Sequence, residues 1–334
     1  MHIIVYSTRP YDREFLIAAT ADGRHALTFL ETRLDATTAP TATGAEAVCV
    51  FVNDRVDVAT LRQLHEAGVR LVLLRCAGFN QVDLATAESL GMAVARVPEY
   101  SPHAVAEHTV ALALTLNRKV HRAHARVREG NFALEGLLGW DLHGATAGIV
   151  GTGKIGRCVA RILAGFGCRL LAHDPRPHDE MLALGVRYLP LPELLAQSRL
   201  VSLHCPLTPA THHLIDAAAL ARMPRGAMLI NTSRGAVVDT RAVIGALKAG
   251  HLGSLGLDVY EEEADLFFRD LSGEVLQDDV FARLLTFPNV VITGHQAFFT
   301  SQALTAIAET TLANADTFMA TGRPLHAVST EKLA

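Results

Sequence analysis

Short runs of Val, Ile and Leu recur along this chain, each separated from the next by a stretch long enough for a helix. The first set is IIVY at 3–6, VCVFV at 48–52, VRLVLL at 69–74 and MAVARV at 92–97. A strand with one face in water alternates apolar and polar residues. These runs do not alternate, so both of their faces are covered, as in a parallel sheet flanked by helices. A second set follows at 146–150, 169–172, 200–203, 227–230, 253–257 and 290–293. Two α/β units with no obvious linker is the economical reading. At about 150 residues per domain, 334 residues lead to the same number.

Helix signals lie between the strands. Ser101-Pro102 combines an N-cap residue with proline at the first helical position and predicts a helix to about Arg118. Further helices are expected at 154–166, at 240–249 between Asp239 and Gly250, and at 300–321, where Leu304, Ile307, Ala308 and Leu312 share a face. With 50% hydrophobic and 19% charged residues the chain is no disordered polymer. A net charge of −4 argues against a nucleic-acid partner. The basic stretch 117–130, with Arg118, Lys119, Arg122, Arg126 and Arg128, reads as a solvated or intersubunit helix surface, since 34 acidic residues balance it elsewhere. Five scattered cysteines without metal-ligand spacing suggest reduced thiols in a cytoplasmic protein and no metal. The start, Met1 to Ser7, reads as a first strand rather than a signal peptide. Residues 284–308 contain no Asp, Glu, Lys or Arg, but Pro288, Asn289, Gly294, His295 and Gln296 interrupt them, so a buried segment is expected and no membrane span.

Gly151-Thr152-Gly153-Lys154-Ile155-Gly156 matches G-x-G-x-x-G, a weak signal alone. A strand precedes it, a helix follows it, and the next strand leads to Asp174, 23 residues after Gly151. In that context Gly151 permits the tight turn, Gly153 lets the backbone approach a pyrophosphate and Gly156 allows close helix packing. The helix N-terminus faces the anion with free N–H groups. Asp174 is placed for a ribose diol and would repel a 2′-phosphate, so NAD is the expected cofactor. Arg176 and His178 nearby leave some NADP use open.

Dehydrogenation needs a cation for the substrate carboxylate and a proton carrier. Candidates follow three predicted strands, the position at which open α/β sheets bind ligands. Arg234 can clamp a carboxylate and stays charged. His295 lies in the uncharged segment, but with sixteen histidines composition gives it no privilege. Glu261, Glu262 and Glu263 follow Asp258-Val259-Tyr260, and neither spacing nor charge picks one of them as its partner.

Together the segments resemble the NAD-dependent D-2-hydroxyacid dehydrogenase family, most closely its fermentative D-lactate branch, through nearly the whole chain. The resemblance is carried by residues 5–8, 74–80, 97–102, the Gly151 loop, Asn231-Thr-Ser-Arg-Gly235, Gly256-Leu-Asp-Val-Tyr260 with the acidic insert 261–279, and Gly294-His-Gln-Ala-Phe-Phe-Thr300. It implies a Rossmann-type cofactor domain (101–298) inserted into a flavodoxin-like α/β substrate domain (1–100 and 299–334), with a cleft that closes over its ligands. It also implies pyruvate and D-lactate as substrates, a homo-oligomer (dimer or tetramer), and Arg234 as ligand of the substrate carboxylate and carbonyl. By the resemblance His295 is the acid/base and Glu263, five residues beyond Asp258, its partner; the roles agree with the chemistry, since a carboxylate bonded to an imidazole orients the ring and favours its protonated form. Ala77 and Gly78 would offer backbone N–H groups to the substrate, and Tyr100 and Phe299 would close the pocket. On the cofactor side the resemblance adds Lys154 and Ile155 at the pyrophosphate, Cys205 and Pro206 at the adenosine half, and Thr232, Ser233 and Asp258 at the nicotinamide half. Thr211 stands where relatives often carry Asn, which puts its bond to cofactor in question. Two alternatives stay in view: a reductase for a larger or different 2-oxo acid (phenylpyruvate, oxaloacetate, hydroxypyruvate), and a non-enzymatic NAD-sensing corepressor of the same fold.

Overall fold

The computed structural model describes residues 1–20 and 23–333. Its chain divides into two compact units, Met1–Ser101 with the segment from Phe299 onward, and Pro102–Phe298. The first boundary lies one residue later than the sequence suggests, because Ser101 still precedes the helix that begins at Pro102.

In the first unit β1 (His2–Val5), β2 (Ala26–Phe29), β3 (Ala47–Val50), β4 (Leu71–Leu74) and β5 (Ala93–Arg96) form a parallel sheet of order β2-β1-β3-β4-β5, the flavodoxin-like order. Its central strands are buried on both faces. Ile4, Val48, Val50, Val72 and Leu74 join one apolar cluster, while Ile3, Val5, Cys49, Leu71 and Leu73 join another. The second cluster is completed by Ala308, Leu312 and Ala315 of the helix Ser301–Thr321, whose N-terminus is capped by Thr300 Oγ1 accepting from Ala303 N–H. Burial against the first sheet is why the C-terminal helix belongs to this unit. The sequence reading lacked β2, an edge strand whose Ala26 and Thr28 remain exposed.

In the second unit β6 (Thr146–Val150), β7 (Arg169–His173), β8 (Arg187–Tyr188), β9 (Leu200–Leu203), β10 (Ala227–Asn231), β11 (Leu252–Leu257) and β12 (Val290–Ile292) form a parallel sheet of order β12-β11-β10-β9-β6-β7-β8. This is the Rossmann order with one further strand at the β12 edge. Consecutive residues again enter opposite cores: Leu229 one, Met228 and Ile230 the other. The strand β8, with two residues, is too short to leave a hydrophobic pattern. The order reverses between β6 and β9, and ligands of such sheets bind outside the carboxyl ends at this point. The uncharged stretch 284–308 divides among the end of one helix, β12, a loop and the start of Ser301–Thr321. Among the described residues no helix is long and apolar enough to cross a membrane.

Candidate active site

The Gly-rich loop leaves β6 at the switch point and enters the helix Lys154–Gly165. Gly151 takes φ +92°, and a Cβ there would lie 2.6 Å from Cys205 N, so the turn packs against the chain leaving β9. A Cβ at Gly156 would strike Gly151 O, while one at Gly153 would meet nothing within 4 Å. Two glycines thus close the turn, and the third leaves the helix N-terminus open, with no side-chain cap on its N–H groups. These residues fit a dinucleotide pyrophosphate. Asp174 follows β7, its Oδ2 accepting from Thr152 N–H (2.7 Å) and Oδ1 from Arg176 N–H (2.9 Å). Burial pushes its pKa up, but these bonds outweigh burial and hold it below the usual carboxylate range, so it is an anion at neutral pH.

The other cofactor-side candidates lie in the same unit. Lys154 is exposed and Ile155 partly buried at the helix start. Cys205 is buried and its thiol is pushed up to about 11 by that burial, whereas Pro206 is exposed. Thr211 Oγ1 accepts from Thr208 N–H and donates to Pro206 O at 2.6 Å, so its hydroxyl folds the loop 206–211. Thr232 Oγ1 meets Thr109 Oγ1 at 2.8 Å, and Ser233 N–H and Oγ both donate to Asn231 Oδ1.

Arg234, Glu263 and His295 follow β10, β11 and β12, three adjacent strands, all at their carboxyl ends. Asn231 clamps the Arg234 turn by accepting from Ser233 and donating Nδ2–H to Arg234 O at 2.9 Å. Gly235 then lets the turn lie on the next strand's exit, since a Cβ there would run into the backbone of Tyr260 and Glu261. The Arg234 guanidinium donates to Ser233 O at 2.7 Å, and among the described residues it has no carboxylate partner.

The structure separates the three consecutive glutamates. Glu261 accepts from Thr240 N–H and contacts His213 Nε2 at 2.6 Å, and Glu262 is exposed. Glu263 Oε2 accepts from Tyr260 N–H, which fixes the carboxylate, and Oε1 lies 2.8 Å from His295 Nδ1. His295 Nε2 has no protein partner among the described residues. The pair is about one-fifth exposed, 19% for His295 and 24% for Glu263, so it is sheltered yet reachable.

Asp258, expected beside the nicotinamide, has its carboxylate engaged by the His295 loop. Oδ1 accepts from the Thr293 hydroxyl and Gln296 N–H, Oδ2 from Ala297 N–H, and the backbone carbonyl from His295 N–H. His108 Nε2, on the helix Pro102–Arg118, reaches Thr293 Oγ1 at 2.9 Å. Burial raises the Asp258 pKa, but bonds from His108, Thr293, Ala297 and Gln296 outweigh it and the net shift is downward. His108, Thr293 and Asn231 were not singled out from sequence. Only Asn231 carries a local signal, an Asn opening a tight turn.

Ala77, Gly78, Tyr100 and Phe299 belong to the first unit. Ala77 O accepts from Arg96 Nη1–H at 2.9 Å, and Gly78 O from the Cys76 thiol. Phe299 is about half exposed and meets the Tyr11 ring edge-on at 4.7 Å. No group of three His, Cys, Asp or Glu among the described residues could hold a metal ion.

A Rossmann-ordered sheet with a dinucleotide loop at its switch point and an unneutralised arginine, a histidine and a glutamate at three adjacent strand ends defines a nicotinamide-dependent dehydrogenase of small acids. The family model for the D-isomer specific 2-hydroxyacid dehydrogenase NAD binding domain matches residues 110–297. The chain is 53% identical over 314 residues to the D-lactate dehydrogenase of Escherichia coli (strain K12), covering 94% of this chain and 95% of that one. It is 54% identical over 320 residues to D-lactate dehydrogenase kk1H of Curvularia clavata, covering 95% and 92%. Among solved structures, the apo-structure of the Escherichia coli D-lactate dehydrogenase superposes with a TM-score of 0.90 at 49% identity, covering 98% of this chain and all (100%) of that one. The chain belongs to the D-isomer specific 2-hydroxyacid dehydrogenases, and its cofactor is NAD.

Proposed function

We propose that the protein is a D-lactate dehydrogenase that interconverts pyruvate and D-lactate, with Arg234 holding the substrate and His295, paired with Glu263, moving the proton. The observation that carries this reading is the 2.8 Å contact of His295 with Glu263, one strand away from a guanidinium that no protein carboxylate neutralises. D-lactate dehydrogenases more than half identical to this chain support the substrate class. Bound NADH supplies the hydride for the ketone carbon. Arg234 binds the carboxylate through a fork of charge-assisted hydrogen bonds and stabilises the negative charge that develops on the ketone oxygen. Glu263 accepts the Nδ1 proton of His295 and fixes the ring, and Nε2 gives its proton to that oxygen. In the reverse direction Nε2 takes the hydroxyl proton. Asp174, ionised, receives the ribose hydroxyls and repels a 2′-phosphate. Ala77, Gly78, Tyr100 and Phe299 remain the substrate-side members of the proposal.

The reading extends to a cytoplasmic homo-oligomer. Five free cysteines suit a reducing compartment. Exposed apolar side chains at Val120, Val127, Phe132, Leu134 and Leu138 suit a subunit interface.

Two measurements test the assignment. Steady-state kinetics with pyruvate, phenylpyruvate, oxaloacetate and hydroxypyruvate, each with NADH and NADPH, should give pyruvate with NADH the highest kcat/KM. Pyruvate with the lowest value of the set would overturn the substrate assignment. His295→Ala should lose about 10²–10⁴-fold in turnover while still binding NADH. Unchanged turnover would reject the acid/base role.

A further inference from the structure

The acidic insert supplies His295 with more than a carboxylate. After Glu263 the chain makes a single 3-10 turn, Glu263–Asp265, in which Glu263 O accepts from Leu266 and Phe267 N–H. Phe267 is buried and meets Phe281 edge-on at 5.9 Å, and the Tyr260 hydroxyl donates to Asp278 at 2.7 Å, so the insert is anchored near both ends. At the next residue the backbone turns left-handed, with Phe268 at φ +63°. Its ring lies 5.8 Å from the His295 imidazole, inclined by 38°. His295 itself stands at φ +52°. Two non-glycine residues in a disfavoured backbone region, one of them the proposed proton carrier, therefore bring their rings together. A bulky aromatic gains nothing locally from that conformation, and strain of this kind persists where the surroundings impose it, commonly at functional sites.

We infer that Phe268 is a positioning residue for the acid/base pair: its ring, turned inward by a left-handed backbone, holds the His295 imidazole in the plane that keeps Nδ1 on Glu263 and Nε2 outward. The inference rests on the proposed role of His295 and deepens it. Placed on that side of the imidazole, the ring would restrict rotation about the His295 side-chain bonds and limit water around the Glu263–His295 bond. The insert thus brings the carboxylate and the aromatic wall together, five residues apart.

The test uses Phe268→Gly, Phe268→Leu and Phe268→Tyr in the full-length protein, with His295→Ala beside them. Glycine takes a positive φ without steric cost, so Phe268→Gly removes the ring and relieves the backbone at once. Phe268 also packs against the apolar core that holds Phe267 and Phe281, so the midpoint of thermal unfolding of the glycine variant should fall, with the relieved backbone offsetting part of the lost packing. Its kcat for pyruvate should fall at least about tenfold, as expected when a reacting group is misplaced, with the NADH Kd unchanged. Phe268→Tyr should restore kcat to within about twofold, and Phe268→Leu, similar in bulk without the ring, should not. If Phe268→Gly fails to fold, the Leu and Tyr variants decide. A kcat within about twofold of the parent in Phe268→Gly or Phe268→Leu overturns the inference, as does equal loss in Phe268→Tyr and Phe268→Leu. If His295→Ala retains turnover, the acid/base reading itself has failed. If it loses turnover while Phe268→Gly does not, only the role of Phe268 has failed.

Discussion

Among the described residues the Arg234 guanidinium makes one hydrogen bond to the protein, to Ser233 O, and no carboxylate neutralises it. A half-buried cation kept without an anion carries a desolvation cost that a bound carboxylate would relieve. Arg234→Ala should therefore cost about 2–4 kcal/mol in transition-state stabilisation, roughly 30- to 900-fold in kcat/KM, most of it in KM. Arg234→Lys should recover only part, because an ammonium restores the charge without the planar fork. Steady-state kinetics with an independent NADH titration would check this, and a loss under about threefold in Arg234→Ala would remove Arg234 from the site. Glu263 invites a complementary substitution. Glu263→Gln keeps the bulk and the bond from Tyr260 N–H, but an uncharged amide cannot stabilise an imidazolium. Turnover should fall about 10- to 100-fold with little change in KM. A large rise in KM at full kcat would place Glu263 in substrate binding instead.

Among elements, the loop between β12 and the helix Ser301–Thr321 depends on a residue at the end of another strand. Asp258 gathers the Thr293 hydroxyl and the N–H groups of Gln296 and Ala297 on its carboxylate and that of His295 on its carbonyl, and it is 1% exposed. Because its pKa is lowered in the fold, its contribution to stability is present above the unfolded value near ~4 and is lost as pH falls through the lower folded value. Asp258→Asn should cost about 1–3 kcal/mol at pH 7 and flatten the decline of stability below about pH 4. Urea denaturation at several pH values would measure both, and an acid slope equal to that of the parent would show that the carboxylate is not what holds the loop. This loop also shows where sequence reading ends. The Gly151 loop, the Pro102 helix start and the Asp239 cap were legible because each is set by residues within a few positions of one another. The separation of Glu261 from Glu263 was not, since it depends on His213 and Thr240 N–H on one side and His295 on the other. The contact of His108 with Thr293 spans 185 residues and leaves no local mark.

For the molecule as a whole, the apolar runs announced two parallel sheets covered on both faces, while the strand orders, with the edge strands β2 and β8, lay beyond them. The surface is less regular. The helix Val120–Arg128 buries none of its residues, and the segment after it exposes Phe132 (73%), Leu134 (78%) and Leu138 (89%). The segment is nevertheless tied down: Lys119 Nζ donates to Leu138 O and Arg126 Nη1 to Glu135 O. A fixed apolar surface flanked by Arg118, Arg122 and Arg128 has the make-up of an interface core with a charged rim, and solvated loops seldom hold three such side chains in place. A stable homodimer formed there would bury on the order of 1,200–2,000 Å². Leu134→Asp with Leu138→Asp places two charges where that interface would be driest, while both positions are already exposed in the single chain, so the fold should survive. Light scattering at micromolar concentration should show the parent as a dimer or larger and the double variant shifted to a smaller species with unchanged circular dichroism. A monomeric parent, or a double variant that assembles as the parent does, would show that subunits do not meet through this segment.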